Sequence, residues 1–398
     1  MDLKTLDQLD LNGKTVIIRA DVDVPIDDNG NVVDDTRLHS FLATLKEVTD
    51  KGARPIVLGH RGRPKGHVRK EFSLMPIARH LEKLVGHKVS FAVDCVDRPA
   101  EAAIGAMKPG DILLMENTRF HPEEEANDDT FSQKLAKLGD IFINDAFATA
   151  HRSHASTAGI ARYIKDKAVG RGMESQIKTL EKILENPERP LLVVIGGAKI
   201  STKMGALRTL IRKANMLMIG GAMANTFLVA QGKPVGNSLF EPEYVDTARD
   251  ILAEAGTLGC RILLPTDVTV AGELKSGVAY RHCSVNDIEP FEMAVDVGPK
   301  TIETWCRVMR DQCKTVFWNG PVGAAEVEPF NTGTNALAVA FRQTDAFTVL
   351  GGGDTVNAVK HASDGEGLKG IDYVSTAGGA LLEFLEGRPL PALEALRG

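Results

Sequence analysis

The chain has 398 residues, more than one ordinary hydrophobic core accommodates, which predicts two domains of somewhat under about 200 residues each. A hydrophobic content of 43% with 25% charged residues fits a globular protein, and a formal net charge of -6 argues against nucleic acid as the main partner. The acidic amino terminus lacks an apolar signal core, and no segment approaches the roughly 18 continuous apolar residues of a membrane span. No membrane partner and a cytoplasmic location are therefore expected.

Apolar runs of strand length recur through the first half: Val16 to Ile18, Ile56 to Leu58, Val89 to Phe91, Ile112 to Met115 and Ile141 to Ile143. Helical spacing fills the gaps, with Leu38, Phe41, Leu42, Leu45 and Val48 on one face and Leu74, Ile77, Ala78, Leu81 and Leu84 on another. Strands alternating with helices predict a parallel, doubly wound sheet, whose ligands sit beyond the carboxyl ends of the strands. The segments that follow the strands are rich in cations: Arg37, His60 to Arg63, Glu116 to His121 with Arg119, and Ala150 to His154 with Arg152. One such arginine on a solvated surface would mean little, but four after successive strands of an acidic chain read as a site for a small, multiply charged anion. His151 and His154 lack an evident third metal ligand, which favours a loop or cap role.

A helical segment with Ile177, Leu180, Ile183 and Leu184 leads to Asn186-Pro187-Glu188-Arg189-Pro190, a break suited to a domain boundary. The second half repeats the alternation, with strands at Leu191 to Ile195, Met216 to Ile219, Ile262 to Leu264, Thr315 to Trp318 and Phe347 to Leu350. Here the post-strand segments carry glycine: Gly196-Gly197, Gly220-Gly221, Trp318 to Gly323, Gly351 to Thr355 and Gly378-Gly379. The run from Leu191 predicts a doubly buried strand, a tight turn and a helix amino terminus that favours an anion, with Lys199 and Lys203 on one helix face. Glycine loops suit a nucleotide's phosphates, although steric turns use glycine as well. Neither a Walker A loop nor GxGxxG is present: Gln8 stands where the first would need glycine, and Val356 where the second would. Five cysteines form no CxxC pair and make an odd number, so neither a disulfide framework nor a structural zinc site is indicated.

Taken in order, the Arg19 to Pro25 segment, Arg37, HRGRP from His60, ENTRFH from Glu116, NDAFATAHRSHAS from Asn144, GGAKISTK from Gly196, WNGPVGAAE from Trp318, GGGDT from Gly351 and STAGGALLEFLEG from Ser375 resemble the glycolytic phosphoglycerate kinases. The resemblance implies two Rossmann-like lobes joined by a hinge. Residues 1–186 would bind 3-phosphoglycerate, residues 187–375 would bind the nucleotide, and residues 376–398 would return to the first lobe. It further implies Mg2+ with ATP or ADP as co-substrate, small-molecule partners only, and a monomer. Residue by residue, it implies that Asp21, Asp23, Arg37, His60, Arg61, Gly62, Arg63, Arg119 and Arg152 hold the substrate. Gly197, Lys203, Asn319, Glu326, Gly352, Gly353, Asp354 and Thr355 would hold the nucleotide, Asp354 also the metal, and Arg37, Lys199 and Gly378 would serve transfer. Four departures stand out: Asp23 for the family's asparagine, Arg61 for leucine, Ala377 for the first of three glycines, and Arg171-Gly172 for a more apolar pair. A dehydrogenase would need the missing dinucleotide fingerprint, and a non-catalytic anion binder would need neither the phosphate lysines nor Asp354.

Overall fold

The computed structural model describes residues 3–362 and 366–397. The chain forms two compact units, Met1–Lys178 with Pro389–Gly398, and Thr179–Arg388.

The first unit contains β1 (Thr15–Ala20), α1 (Thr36–Asp50), β2 (Arg54–Leu58), α2 (Met75–Val85), β3 (Val89–Ala92), α3 (Asp97–Gly105), β4 (Ile112–Met115), α4 (Pro122–Ala126), α5 (Asp129–Ala136), β5 (Ile141–Asp145), β6 (Asp166–Val169) and the start of α6 (Arg171–Glu185). Its six strands run parallel in the order β3-β4-β2-β1-β5-β6. Every residue of β1 is buried, as a strand covered on both faces requires. Leu38, Phe41, Leu45 and Val48 of α1 join Val16, Ile18, Val57, Leu114 and Ile143 in one core. The register pairs Arg19 with Leu58 on one side and Asn144 on the other, so the centre of the sheet ends on a guanidinium.

The second unit continues with β7 (Leu191–Ile195), α7 (Met204–Leu210), β8 (Met216–Ile219), α8 (Met223–Ala230), α9 (Val245–Leu258), β9 (Arg261–Leu263), β10 (Asp267–Ala271), β11 (Tyr280–Ser284), β12 (Met293–Val297), α10 (Pro299–Asp311), β13 (Thr315–Asn319), α11 (Thr332–Gln343), β14 (Phe347–Gly351), α12 (Gly353–His361), β15 (Tyr373–Ser375) and α13 (Gly379–Leu385). Its main sheet is again six-stranded and parallel, β15-β14-β13-β7-β8-β9. Trp318 meets Phe341 edge-on at 5.6 Å within that core. A separate antiparallel sheet, β11-β10-β12, stands outside the expected alternation.

The division between units falls within α6, after Lys178, ahead of the proline break at 187. α13 packs on α7 and so stays with the second unit, whereas α14 (Pro391–Glu394) belongs to the first, where Ala392 N donates to Ala150 O at 3.1 Å.

α6 starts beside the carboxyl end of β5. Asp145 accepts there from Thr44 Oγ1 and from Met173 N, each at 2.6 Å. Gly172 is required by close approach, because a Cβ would run into the carbonyl oxygen of Ser40. Arg171 binds Asp7 through Nη2 at 2.6 Å, Glu47 through Nε at 2.7 Å and Glu174 through Nη1 at 3.0 Å, which explains a charged residue at this point.

Burial pushes the Asp145 carboxyl up to about 6, against the hydrogen bonds from Thr44 and Met173. A raised folded-state value means that the fold binds this proton more tightly than the unfolded chain does. The contribution is therefore complete below about pH 4 and is lost as pH rises through about 6, amounting to about 3 kcal/mol. Denaturant titrations at several pH values should show the stability of the native chain falling relative to Asp145→Asn between pH 4 and 6. A difference independent of pH would refute the assignment.

Candidate active site

At the carboxyl end of β1, Arg19 is fully buried. Its Nε donates to Ser156 Oγ at 2.9 Å, and Ser156 Oγ donates to the buried Glu124 at 2.5 Å. Ser156 N adds a second bond to Glu124 at 2.9 Å, so the carboxylate is met through serine rather than by direct ion pairing. Arg19 Nη2 lies 2.9 Å from His60 Nδ1. A guanidinium can only donate, so Nδ1 accepts and the ring proton sits on Nε2, which faces Asp23 Oδ2 at 4.0 Å. Burial, followed by the charges of Arg19 and Arg119, holds His60 well below its ordinary pKa and so keeps it neutral.

Asp21 and Asp23 follow β1. Arg37 Nη1 donates to Asp23 O at 3.0 Å and lies 3.9 Å from Asp21 Oδ1 and 3.7 Å from Asp23 Oδ2. Gly62 N donates to Asp23 Oδ1 at 2.9 Å. The additional carboxylate at 23 is thus met by a guanidinium and a backbone amide. Burial lifts Asp21 above the usual carboxylate range, against the pull of Arg37.

Arg119 is buried, donates through Nη1 to Gly62 O at 2.9 Å, and sets Nε 3.3 Å from Glu125 Oε1. Arg152 is half-buried, and its charge acts on His60, Arg119 and His154. Burial, then Arg119, Arg19 and Arg152, drive His154 down to about 3. Arg63 is exposed. Arg61 is committed to the protein itself, its Nε donating to Val24 O at 3.1 Å and its Nη1 to Glu71 O.

In the second unit the structure corrects the placing of the two lysines. The helix after β7 begins only at Met204, and residues 201–203 form a turn, so Lys199 and Lys203 do not share a helix face. Lys199 is exposed on the loop. Lys203 is half-buried, its Nζ folded back on Gly196 O at 2.5 Å, Asn319 O at 3.2 Å and Asn319 Oδ1 at 2.7 Å. Three oxygens at adjacent strand ends outcompete water for the ammonium. Burial lowers Lys203 to about 8, and Asp354 pulls it back up.

Asn319 also donates through Nδ2 to Gly351 O at 2.8 Å, and Thr355 Oγ1 accepts from Gly320 N at 2.6 Å. These side chains hold the strand-end loops in place. Gly352 has φ +91°, and a Cβ there would sit 2.7 Å from Asn319 Nδ2, so glycine is obligatory. Gly353 and Asp354 open α12, and Gly378 is exposed immediately before α13. Beside them lies a cleft of about 1000 Å³, lined by Gly197, Leu239, Met293, Pro321, Glu326 and Asp354 among others. An apolar wall with glycine loops and a helix amino terminus at its edge suits a nucleotide.

A family model described as phosphoglycerate kinase matches residues 6–388. The chain belongs to the phosphoglycerate kinase family. It is 50% identical to the phosphoglycerate kinase of Rhodospirillum centenum over all of both chains. It is 47% identical to that of Syntrophobacter fumaroxidans over 99% of this chain and 98% of the other. Among solved structures it superposes on phosphoglycerate kinase from Coxiella burnetii with a TM-score of 0.87 at 40% identity, and on that from Pyrococcus horikoshii OT3 with 0.85 at 30%, covering 99% of this chain and 98% of the other in both cases. Membership makes this a phosphotransferase with a carboxyl group as acceptor, a reversible exchange between 1,3-bisphosphoglycerate with ADP and 3-phosphoglycerate with ATP.

Sequence reasoning singled out the outer cations but not Arg19, Glu124, Ser156 or His154 as partners. The one available signal was an arginine inside an otherwise aliphatic strand, which a buried sheet tolerates only with a counter-charge. Ring-nitrogen NMR should show His60 and His154 neutral at pH 5, with His154 protonating only near pH 3. His121, raised by its hydrogen bond to Asp94, should charge first as pH falls. A cationic His154 at pH 5 would refute the neutral cluster.

Proposed function

We propose that the cluster in the first unit holds 3-phosphoglycerate and that the cleft in the second holds Mg-ADP or Mg-ATP. The observation that carries the first assignment is the gathering of Arg37, His60, Arg119 and Arg152 around buried Arg19 at the carboxyl end of one sheet, in a chain of net charge -6. Asp21 and Asp23 face the substrate's hydroxyl and carboxyl region, and Arg37, His60, Arg63, Arg119 and Arg152 its phosphate and reacting end. At Arg61 and Gly62 the backbone matters more than the side chain, since Arg61 is spent on carbonyls.

In the cleft, Gly197, Gly352, Gly353, Lys203 and the amino terminus of α12 face the phosphate chain, with Asn319 and Thr355 fixing those loops and Glu326 meeting the ribose. Exposed Asp354 in the first turn of α12 fits a hard cation that keeps most of its waters and takes only one or two protein carboxylates. Mg2+ held there would neutralise charge on the phosphates.

The acceptor carboxylate is ionised at neutral pH, so no general base is needed, and the neutral His60 fits a site without proton transfer. Arg37, Lys199 and Gly378 serve the phosphoryl group in flight by charge and by close backbone approach. Substrates held on different units must be brought together, so hinge closure that also expels water is part of the proposal. A cytoplasmic monomer completes it.

A coupled assay of 1,3-bisphosphoglycerate formation tests the reaction. In calorimetry, Arg119→Ala should weaken 3-phosphoglycerate by about tenfold or more while nucleotide affinity changes little; equal losses would defeat the two-site assignment. Lys199→Ala should lower kcat by about 10²-fold, and Lys203→Ala should raise KM for ATP. Near-normal kcat in Lys199→Ala would remove that lysine from the reaction.

The Lys203 ammonium, at about 8, is charged below that pH and neutral above it. KM for ATP should therefore rise as pH passes through about 8, and Lys203→Met should abolish that rise. A rise that persists unchanged in the variant would place the titration elsewhere.

A further inference from the structure

Beyond the anion cluster, three donors of different chemistry meet after β3. The Asp94 carboxylate, the Cys95 thiol and the His121 imidazole each bring one atom within 4.8 Å of the others. Asp94 and Cys95 lie between β3 and α3, and His121 is the residue before α4, so two separate loops converge. Asp94 Oδ1 and His121 Nε2 are 2.8 Å apart, and Cys95 N donates to the same oxygen at 2.6 Å. The His121 ring leans on Phe131 at 5.0 Å and 34°, which limits its rotation.

Cys95 is fully buried, and its thiol has no hydrogen-bond partner among the described residues. The Cys306 and Cys313 thiols, by contrast, donate to Ala336 O at 3.6 Å and Val308 O at 3.2 Å. The surroundings are acidic: Asp94, Glu124 and Glu116 act on Cys95, and Asp94, Glu123 and Asp97 on His121, with Lys134 paired to Asp97 at 3.0 Å. Burial first, and this field after it, disfavour a lone thiolate, and the acidic surroundings favour a dication that binds it.

We propose that Asp94, Cys95 and His121 form a binding site for a borderline-soft divalent cation of the zinc class, with water in the fourth position. Bond lengths of about 2.0 Å to nitrogen and oxygen and about 2.3 Å to sulfur put tetrahedral donors roughly 3.3–3.7 Å apart. The Asp94–His121 hydrogen bond must open slightly and the thiol must draw in, both within side-chain reach. On binding, the Cys95 S–H bond gives its proton to solvent as the metal–sulfur bond forms, and the proton that His121 Nε2 donates to Asp94 leaves as well, to solvent from the cationic ring or by transfer to Nδ1 in the neutral one, which frees the Nε2 lone pair for the metal. A thiolate and an imidazole reject Mg2+, which separates this site from the metal of the nucleotide.

Cobalt titration of the full chain tests this. One equivalent of Co2+ should produce a thiolate-to-cobalt band in the near ultraviolet that Zn2+ displaces and millimolar Mg2+ does not. Cys95→Ser should abolish the band, and His121→Ala should weaken binding by about tenfold or more, with circular dichroism melts confirming the fold. At the same concentration, Zn2+ should raise the Tm of the native chain by more than that of His121→Ala. No band in the native chain, or an undiminished band in Cys95→Ser, would overturn the site. Should Cys95→Ser fail to fold, His121→Ala decides, and native affinity in that variant overturns the site as well.

Discussion

A guanidinium with no access to water, at the end of the central strand of the first sheet, is the constraint from which the anion cluster follows. An isolated buried charge costs several kcal/mol, and Arg19 offsets that cost with Ser156, Ala20 O and His60 at hydrogen-bonding distance and the Glu124 carboxylate one serine away. Each partner is thereby fixed as well. Ser156 must donate to Glu124 because its oxygen already accepts from Arg19, and His60 must carry its proton on Nε2. Around this base Gly62 ties Asp23 to Arg119, binding the first through its amide and the second through its carbonyl. A permanently charged centre beneath the surface thus gives the outer arginines a rigid floor.

The second unit handles the same problem with a group that can give up its charge. Lys203 has three oxygen acceptors and, among the described residues, no carboxylate within salt-bridge range, so burial lowers its pKa to about 8 where Arg19 stays charged. The ammonium joins the ends of β7 and β13 through Gly196 and Asn319, and Asn319 reaches β14 through Gly351. One cation therefore spaces the loops on which the proposed phosphate site depends, which means that its loss acts on loop geometry as well as on charge.

The parallel strands were legible because burial on both faces leaves uninterrupted aliphatic runs, as in Val16 to Ile18 and Leu191 to Ile195. The edge strands β6 and β15 carry Asp-Lys-Ala-Val and Tyr-Val-Ser, too short and too polar to stand out. β11 hides for another reason: Tyr280, Arg281 and His282 are exposed, and only Cys283 turns inward. The spacing of Lys199 and Lys203 suggested a helix, but the turn through Ser201 is held by Glu241, which accepts from Ser201 N at 3.0 Å and from its hydroxyl at 2.5 Å, a contact 40 residues away that no local pattern encodes. Glu124 is one of three successive glutamates in α4, and nothing in that run marks the middle one as the buried counter-charge.

The titratable groups in the cluster are arranged for standing charge rather than for proton exchange. Burial and the same arginines that would bind an anion keep His60 and His154 unprotonated, so neither adds a cation in the free protein. An arriving phosphate would reverse part of that field and make protonation easier, which couples anion binding to proton uptake at these rings. The Asp21 carboxyl responds in the same sense: burial lifts it, Arg37 pulls it down, and an anion that draws on the charge of Arg37 would make it hold its proton more tightly. Since imidazole and carboxylate shift the same way, the permanent charge that meets a ligand is that of the arginines, and no side chain has to carry a proton through the reaction.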